Sequence, residues 1–112
     1  INMFDKSYIS SKNARNTKLK TMFIKTSPQR IFDTVKKYVQ DNGFENIQLF
    51  PDYYEIFCVS GNFEYTFIIV NALNGSSTLR IQAYTEFLWG GAKKQVAELT
   101  SELIEIFKDV II

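Results

Sequence analysis

The residues best suited to chemistry in this chain form a short cluster in which two glycines precede two lysines. Gly90 and Gly91 predict a turn, and Lys93 and Lys94 follow at the expected start of a helix. Free backbone amides and positive side chains at a helix N-terminus can hold anions such as phosphate. The cluster matches no nucleotide-binding fingerprint, and glycines after a strand often only make a turn. Anion binding is therefore one hypothesis here, and a purely structural turn is the other.

A pair of glutamates is the second candidate. The last two predicted strands run over Phe63 to Ala72 and Thr78 to Leu88. If they pair about a loop at Asn74-Gly75-Ser76, Glu64 lies opposite Glu86 on the outer face of the predicted sheet, where like charges are destabilising. The pair would then share a proton as acid and base or hold a cation, with Tyr84 or Arg80 nearby. The alternative, which we favour, is a register shifted by two residues, so that Glu64 meets Tyr84.

Histidine is absent from all 112 residues, which excludes Ser-His-Asp and Cys-His nucleophilic systems and almost all catalytic zinc sites. Cys58 is the single cysteine and lies in the middle of a predicted strand, on the core face. We interpret it as a small buried hydrophobic residue rather than a nucleophile. One cysteine cannot form an intramolecular disulfide, so a reducing, cytoplasmic location is favoured. We predict a non-enzymatic protein with no cofactor and no metal.

Charge is unevenly distributed along the chain although its net value is only +1. Residues 1–37 hold nine basic and two acidic side chains, and the remainder holds four basic and ten acidic ones. Such asymmetry can mark a basic arm that meets nucleic acid or a lipid surface. Because no nucleic-acid-binding motif accompanies it, we favour a solvated tail and predict no nucleic-acid partner.

Length and composition indicate one folded domain. With 46% hydrophobic residues, the chain can bury a single core. Apolar runs such as Phe67 to Val70 reach only four residues, so no membrane span is predicted. Because the chain begins at Ile1 rather than Met, we expect that an upstream segment is missing from it.

Local signals divide the chain into an arm and a domain. Residues 1–18 predict a flexible basic arm or linker, with a short extended piece at Met3 to Ile9. Deleting Ile1 to Ser11 is therefore expected to change the melting temperature by only a few degrees. Residues 19–112 predict a single α+β domain that begins with a strand at Leu19 to Thr26.

Two helices frame the rest of the domain. Ser27-Pro28 is a helix-start signal, and the apolar spacing that follows predicts a helix from Pro28 to Asp41, closed by Asn42-Gly43. A second helical stripe predicts a helix from about Gly91 to Asp109. Strands are predicted between them, through Ile47 and Leu49 and over Tyr53 to Ser60, Phe63 to Ala72 and Thr78 to Leu88.

The resulting order, β-α-β-β-β-β-α, predicts a curved antiparallel sheet with both helices on one face. This architecture resembles one half of a TATA-binding-protein-type unit, or a shortened helix-grip domain. The resemblance concerns the fold alone and implies no activity.

The sheet register follows from parity. A two-residue turn at Gly61-Asn62 puts Ile56 and Cys58 on one face with Tyr65 and Phe67. To keep the alternate apolar residues of the next strand on that same buried face, the loop that connects them must contain an odd number of residues. With that loop at residues 74–76, Phe67 faces Ala83 and Ile69 faces Ile81.

The same parity turns a set of large apolar groups to the outer face of the sheet. They are Tyr53, Phe57, Val59, Ile68, Val70 and Tyr84, with Arg80, Gln82, Glu55 and Glu64 as a polar rim. A patch of this size is unusual on a soluble monomer. We predict an interaction or regulatory module that forms a homodimer or binds another protein through this face. The alternative is a carrier of a small apolar or anionic ligand, held between the helices and the sheet.

Overall fold

The first helix begins and ends at signals in its own sequence. In the computed structural model, which describes residues 5–112, helix α1 spans Pro28–Asp41, as predicted. The Ser27 side chain accepts a hydrogen bond from the Arg30 backbone amide at 3.2 Å, and a proline occupies the first turn. Gly43 follows the helix with a φ of 73°, a left-handed conformation that glycine adopts at no steric cost.

The strands of the described residues form one antiparallel sheet. They are β1 (Ser7–Ile9), β2 (Met22–Ile24), β3 (Glu45–Phe50), β4 (Glu55–Ser60), β5 (Phe63–Asn71) and β6 (Ser77–Tyr84). Neighbouring strands follow the order β1-β6-β5-β4-β3, and β2 pairs with β6 at the other end of that strand from β1. With the second helix, α2 (Ala92–Ile106), the chain has the α+β class and the element order predicted, plus the extra strand β1. Its likeness to a helix-grip domain stays a resemblance.

The two hairpin registers had different outcomes. The turn at Gly61-Asn62 is confirmed, with Cys58 opposite Tyr65. The next register is shifted by two residues from the one built on a loop at 74–76, because the loop is centred on Asn74 and closed by hydrogen bonds between residues 72, 73 and 76. Phe67 therefore faces Ile81, not Ala83. Parity survives the shift, since the connection still has an odd number of residues.

The core fills the space between the inner face of the sheet and the two helices. From the sheet it receives Ile56, Cys58, Tyr65, Phe67, Ile69, Leu79, Ile81 and Ala83, and from the helices Ile31, Phe32, Val35, Val39, Val96, Leu99 and Leu103. α1 packs on β3, β4, β5 and β6, whereas α2 packs on β1 and β6. The Tyr38 hydroxyl of α1 donates to Glu102 of α2 at 2.6 Å, so the helices also contact each other.

The segment expected to be an arm contributes to the sheet. β1 pairs with the end of β6, and a 3-10 helix at Thr17–Leu19 packs against α2. Ser10 is buried, and its hydroxyl accepts a hydrogen bond from the Ile81 amide at 3.0 Å. That amide lies between the residues of β6 that pair with β1 and those that pair with β2, on the edge of β6 that faces away from β5. Ser10 therefore replaces the ladder partner that is missing along this edge. The predicted piece at Met3 to Ile9 begins outside the described residues.

Candidate binding surfaces

The N-terminus of α2 is capped by a residue that is remote in sequence. Gly91 occupies the cap position with a φ of 98° and supplies no side chain. The Asp5 carboxylate instead accepts a hydrogen bond from the Lys93 amide at 2.6 Å, and the Asp5 carbonyl accepts one from the Ala92 amide at 3.3 Å. Asp5 is buried, which strengthens a charged hydrogen bond. An anion therefore does sit at this helix start, and it belongs to the chain itself.

The four residues predicted to bind an anion lie around this cap. Gly90 is buried and donates its amide to the Phe87 carbonyl at 3.0 Å, whereas the side chains of Lys93 and Lys94 are exposed. An open depression of about 410 Å³ lies beside the lysines, lined also by Asp5, Asn16, Leu19, Gly91 and Ala97. Binding of an external anion at the amides would require displacement of the Asp5 carboxylate, and anion binding stays a prediction.

The same end of the molecule is rich in exposed positive charge. The chain fold brings the lysines of α2 next to the basic N-terminal segment, because the 3-10 helix packs on α2. The exposed basic side chains of that segment are Lys6, Lys12, Arg15, Lys18 and Lys20. Among the described residues, the ion pairs are Lys37–Asp41 and Glu105–Lys108. The five basic side chains of the N-terminal segment and the two lysines of α2 therefore have no carboxylate partner. The Lys93 ammonium lies 5.8 Å from the centre of the Tyr8 ring.

The outer face of the sheet carries most of the predicted interaction surface. Phe57, Val59 and Ile68 are half-buried there, and Val70 is 51% exposed. Tyr53 instead lies in the turn between β3 and β4, where it is 60% exposed and stacks on Phe50 at a centroid distance of 5.9 Å. The outer face of the sheet therefore exposes less apolar surface than the alternation of residues along the strands alone predicts.

Polar residues alternate with these apolar ones across the strands. Phe57 of β4 lies in one cross-strand row with Thr66 of β5 and Gln82 of β6. In a neighbouring row on the same face, Ile68 lies between Glu55 and Arg80. Arg80 is half-buried and donates its Nε to the Ser10 carbonyl at 3.4 Å.

The glutamate pair is resolved by the register. Glu64 lies opposite Tyr84, as the favoured alternative predicts, and Glu86 follows the end of β6. The Tyr84 hydroxyl donates a hydrogen bond to the Glu86 carboxylate, and this bond is the main cause of the raised pKa of Tyr84. Glu64 and Glu86 therefore do not lie opposite each other, and the hypothesis of a carboxylate pair for acid-base chemistry loses its basis.

Three ionisable side chains at the boundary between the sheet and the helices have raised pKa values. Burial raises the pKa of Cys58 to about 12, and burial, with the nearby Cys58 and Glu98, raises that of Tyr65 to about 12. The pKa of Tyr38 is raised by burial and by its hydrogen bond to Glu102. A high thiol pKa means that little thiolate forms at neutral pH, which agrees with the structural role predicted for Cys58. The described residues contain no cluster of three metal-ligating side chains.

Sequence reasoning missed the parts that depend on long-range contacts. Asp5 acts 88 residues away, and Ser10 pairs with a residue 71 positions on. The one available signal for the first was the start of α2 itself, where two lysines oppose the helix dipole and no capping side chain precedes them. The amides of such a helix start are satisfied by water or by a group from elsewhere in the chain, and here that group is the Asp5 carboxylate.

Comparison with known proteins adds no family. No protein-family model matches the chain, and no curated protein matches it in sequence. Among the described residues, no helix combines the length and the apolar character needed to cross a membrane.

Proposed function

We propose that this domain is a non-enzymatic binding module that associates with a second copy of itself through the outer face of its sheet. The observation that supports this proposal is the placement of both helices on the inner face. No element of the described chain packs over Phe57, Val59, Ile68 and Val70 on the other side. An apolar group without a cover is a favourable contact surface, since burying it releases water.

The arrangement of the face suits an interface. The four apolar residues lie on the adjacent strands β4 and β5, where diagonal neighbours such as Phe57 and Ile68 are about 7–8 Å apart and within reach of each other. Thr78, Arg80 and Gln82 of β6 border them on one side. An apolar centre with a polar margin is the usual composition of a protein interface.

Charge placement favours a second copy over an unrelated partner. Ile68 lies between Glu55 of β4 and Arg80 of β6 in one cross-strand row. If two such faces meet about a two-fold axis that runs along β5, the Arg80 of each copy lies over the Glu55 of the other. The face is thus self-complementary, which a symmetric dimer requires.

The test combines charge insertion with charge exchange. Ile68→Glu and Phe57→Lys are expected to shift the sedimentation coefficient toward that of a monomer without changing the far-ultraviolet circular dichroism. Leu73→Glu is the matched control, because Leu73 is 85% exposed at a hairpin tip outside the face. Arg80→Glu should also weaken association, and Glu55→Arg added to it should restore association.

Two results would contradict the proposal. The first is a parent protein that is monomeric at several hundred micromolar by sedimentation equilibrium. The second is loss of the circular dichroism signal in Ile68→Glu, which would mean that the face belongs to the folding core.

The carrier alternative has weaker support. The space between helices and sheet holds closely packed side chains such as Ile56, Phe67 and Ile81, which have no exposed surface. A depression of about 390 Å³ lies instead at the seam of β2 and α2, where Met22, Phe23, Ile104, Ile111 and Ile112 meet Lys12 and Lys20. This composition suits an apolar molecule with an acidic group. Native mass spectrometry of the purified protein would reveal both a retained ligand and the oligomeric state.

A further inference from the structure

The loop between β6 and α2 presents three consecutive large apolar side chains to solvent. Phe87 is 45% exposed, Leu88 72% and Trp89 59%. At about 200 Å² for each large side chain, these fractions leave roughly 350 Å² of apolar surface on one protruding tip. Exposure of such a run to water is unfavourable, and in folded proteins it usually marks a contact surface. We refer to residues 87–89 as the apolar tip.

The exposure of the tip is held by hydrogen bonds at its base. Thr85 is buried, donates its hydroxyl to the Asn62 carbonyl at 2.6 Å and accepts from the Phe87 amide at 2.9 Å. The Gly90 amide closes the loop on the Phe87 carbonyl at 3.0 Å. The backbone on both sides of Leu88 is therefore fastened, and the side chains are presented outward by a defined turn.

Lysines flank the tip at both of its ends. The Lys6 carbonyl accepts a hydrogen bond from the Thr85 amide at 2.8 Å, which fixes Lys6 beside the first end, and Lys93 and Lys94 follow the second end. All three side chains are exposed. The exposed carboxylate closest in the chain is Glu86, which already accepts the Tyr84 hydroxyl, and Asp5 is buried in the helix cap. Glu64, opposite Tyr84 on β5, is a second exposed carboxylate at this end of the sheet. Three exposed lysines and two exposed glutamates therefore surround the apolar tip, and only the lysines lie at both of its ends.

We propose that the apolar tip and its flanking lysines dock this domain on the surface of an anionic lipid bilayer. Trp and Phe favour the boundary between headgroups and acyl chains, and lysines beside them are attracted to anionic lipids. A protein partner is less suited to the tip, because a stable protein interface buries about 800 Å² on each side, more than twice the tip area. This docking uses a different surface from the proposed dimer interface and does not depend on it.

The chain carries its own reporter for this contact. Trp89 is the single tryptophan, so its fluorescence reports on the tip alone. Titration with vesicles of phosphatidylcholine and phosphatidylserine in a 3:1 ratio should shift the emission to shorter wavelength and carry the protein into the vesicle pellet. Vesicles of phosphatidylcholine alone should bind much more weakly. Raising NaCl from 0.1 to 0.5 M should weaken the binding, since salt screens the lysines.

Two variants separate the apolar and the ionic contributions. Leu88→Ser should reduce the partition into anionic vesicles at least tenfold, because an inserted leucine is replaced by a polar group. Lys93→Ala combined with Lys94→Ala should reduce it about 25-fold, at roughly fivefold for each lysine. The matched controls are Leu73→Ser, which changes an exposed leucine at the opposite end of the β5–β6 hairpin, and Lys25→Ala with Arg30→Ala, which removes the same charge elsewhere. Both controls should bind as the parent does.

The proposal fails if the parent gives no emission shift and no co-sedimentation with anionic vesicles at millimolar lipid. It also fails if neutral and anionic vesicles bind equally, or if Leu88→Ser and Leu73→Ser have the same effect. Unchanged circular dichroism in each variant ensures that a loss of binding is not a loss of fold. Capture of nucleic acid or of a protein through Leu88 in the absence of lipid binding would replace the proposal with a different partner.

Discussion

The two helices of this domain begin in different ways. α1 starts at Ser27, whose side chain bonds an amide three residues ahead, with a proline in the first turn. α2 starts at Gly91, which has no side chain, and two lysines follow where the helix dipole disfavours positive charge. Its capping group is the Asp5 carboxylate from the other end of the chain.

The difference concerns what each helix requires in order to form. Every group that starts α1 lies within four residues, so the helix start can be satisfied before any tertiary contact exists. α2 acquires its cap only when the N-terminal segment has docked on the sheet. Its stability is therefore coupled to β1, and the coupling can be broken from either side.

Removal of residues 1–11 should have the largest effect. The sequence predicted a change of only a few degrees, but the structure gives this segment β1, the Asp5 cap and the Ser10 bonds to Ile81. Loss of these contacts should reduce the free energy of unfolding by more than about 3 kcal/mol, at roughly 1 kcal/mol for each ordinary hydrogen bond and more for the charged one. The melting temperature should fall by more than about 10 °C. A fall of only two or three degrees in a thermal melt would mean that the segment is an arm after all.

Asp5→Ala should be the next in size. It removes a buried carboxylate from the start of α2 and leaves the Lys93 amide without its partner, at a cost of about 2 kcal/mol. Asp5→Asn keeps an acceptor oxygen but no charge, and should cost about half as much. Urea denaturation measures both values. Equal values for the two variants would show that the charge contributes nothing.

Ser27→Ala should cost about 1 kcal/mol, the usual value for an exposed capping serine. Ser27→Asp should be close to neutral, since aspartate also caps. Combined with Asp5→Ala, the two losses should add, because the caps share no partner. A coupling of more than about 0.5 kcal/mol in this double-mutant cycle would disprove the independence of the two helix starts.

At neutral pH, the smallest effect on the free energy of unfolding is expected from the buried titratable groups of the core. Their contribution changes with pH at alkaline values, whereas that of the Ser27 cap does not. Cys58 and Tyr65 have folded-state pKa values raised to about 12, whereas the unfolded chain ionises near 9 and 10. Above those pH values the unfolded state binds fewer protons, so stability is present below pH 9 and is lost as pH rises toward 12, by up to about 1.4 kcal/mol per pH unit for each group. Urea midpoints measured from pH 8 to 11 should fall, and Cys58→Ala should flatten the curve between pH 9 and 10, whereas Ser27→Ala should leave its shape unchanged.

Most of the fold could be predicted because its signals are short-range. The bounds of α1 and the turn at Gly61-Asn62 follow from local backbone preferences, and the inner face of the sheet follows from a period of two. The register of β5 and β6 was less certain, because loops that differ by two residues keep the same faces. Only the conflict between Glu64 and Glu86 indicated the correct one.

The candidate sites could be predicted only in part. Phe57 and Ile68 were placed on the outer face by parity, whereas Tyr53 lies outside it because β4 begins only at Glu55. The cluster at Lys93 was recognised, but its neighbours Asp5 and Lys6 were assigned to a tail. Phe87 and Leu88 of the apolar tip were predicted to end a strand, since nothing in their sequence distinguishes an exposed run of apolar residues from a buried one.

The sequence by itself determined the α+β class, the start and end of α1, the two faces of the sheet and the absence of histidine among its 112 residues. These properties depend on residue type and on spacings of a few residues, which do not change with the rest of the fold. Tertiary structure alone decided that Asp5 caps α2, that Ser10 fills the gap beside β6, and that lysines from both ends of the chain flank residues 87–89. These contacts join groups 70 to 90 positions apart, and no local preference encodes which of the many possible distant pairs will form.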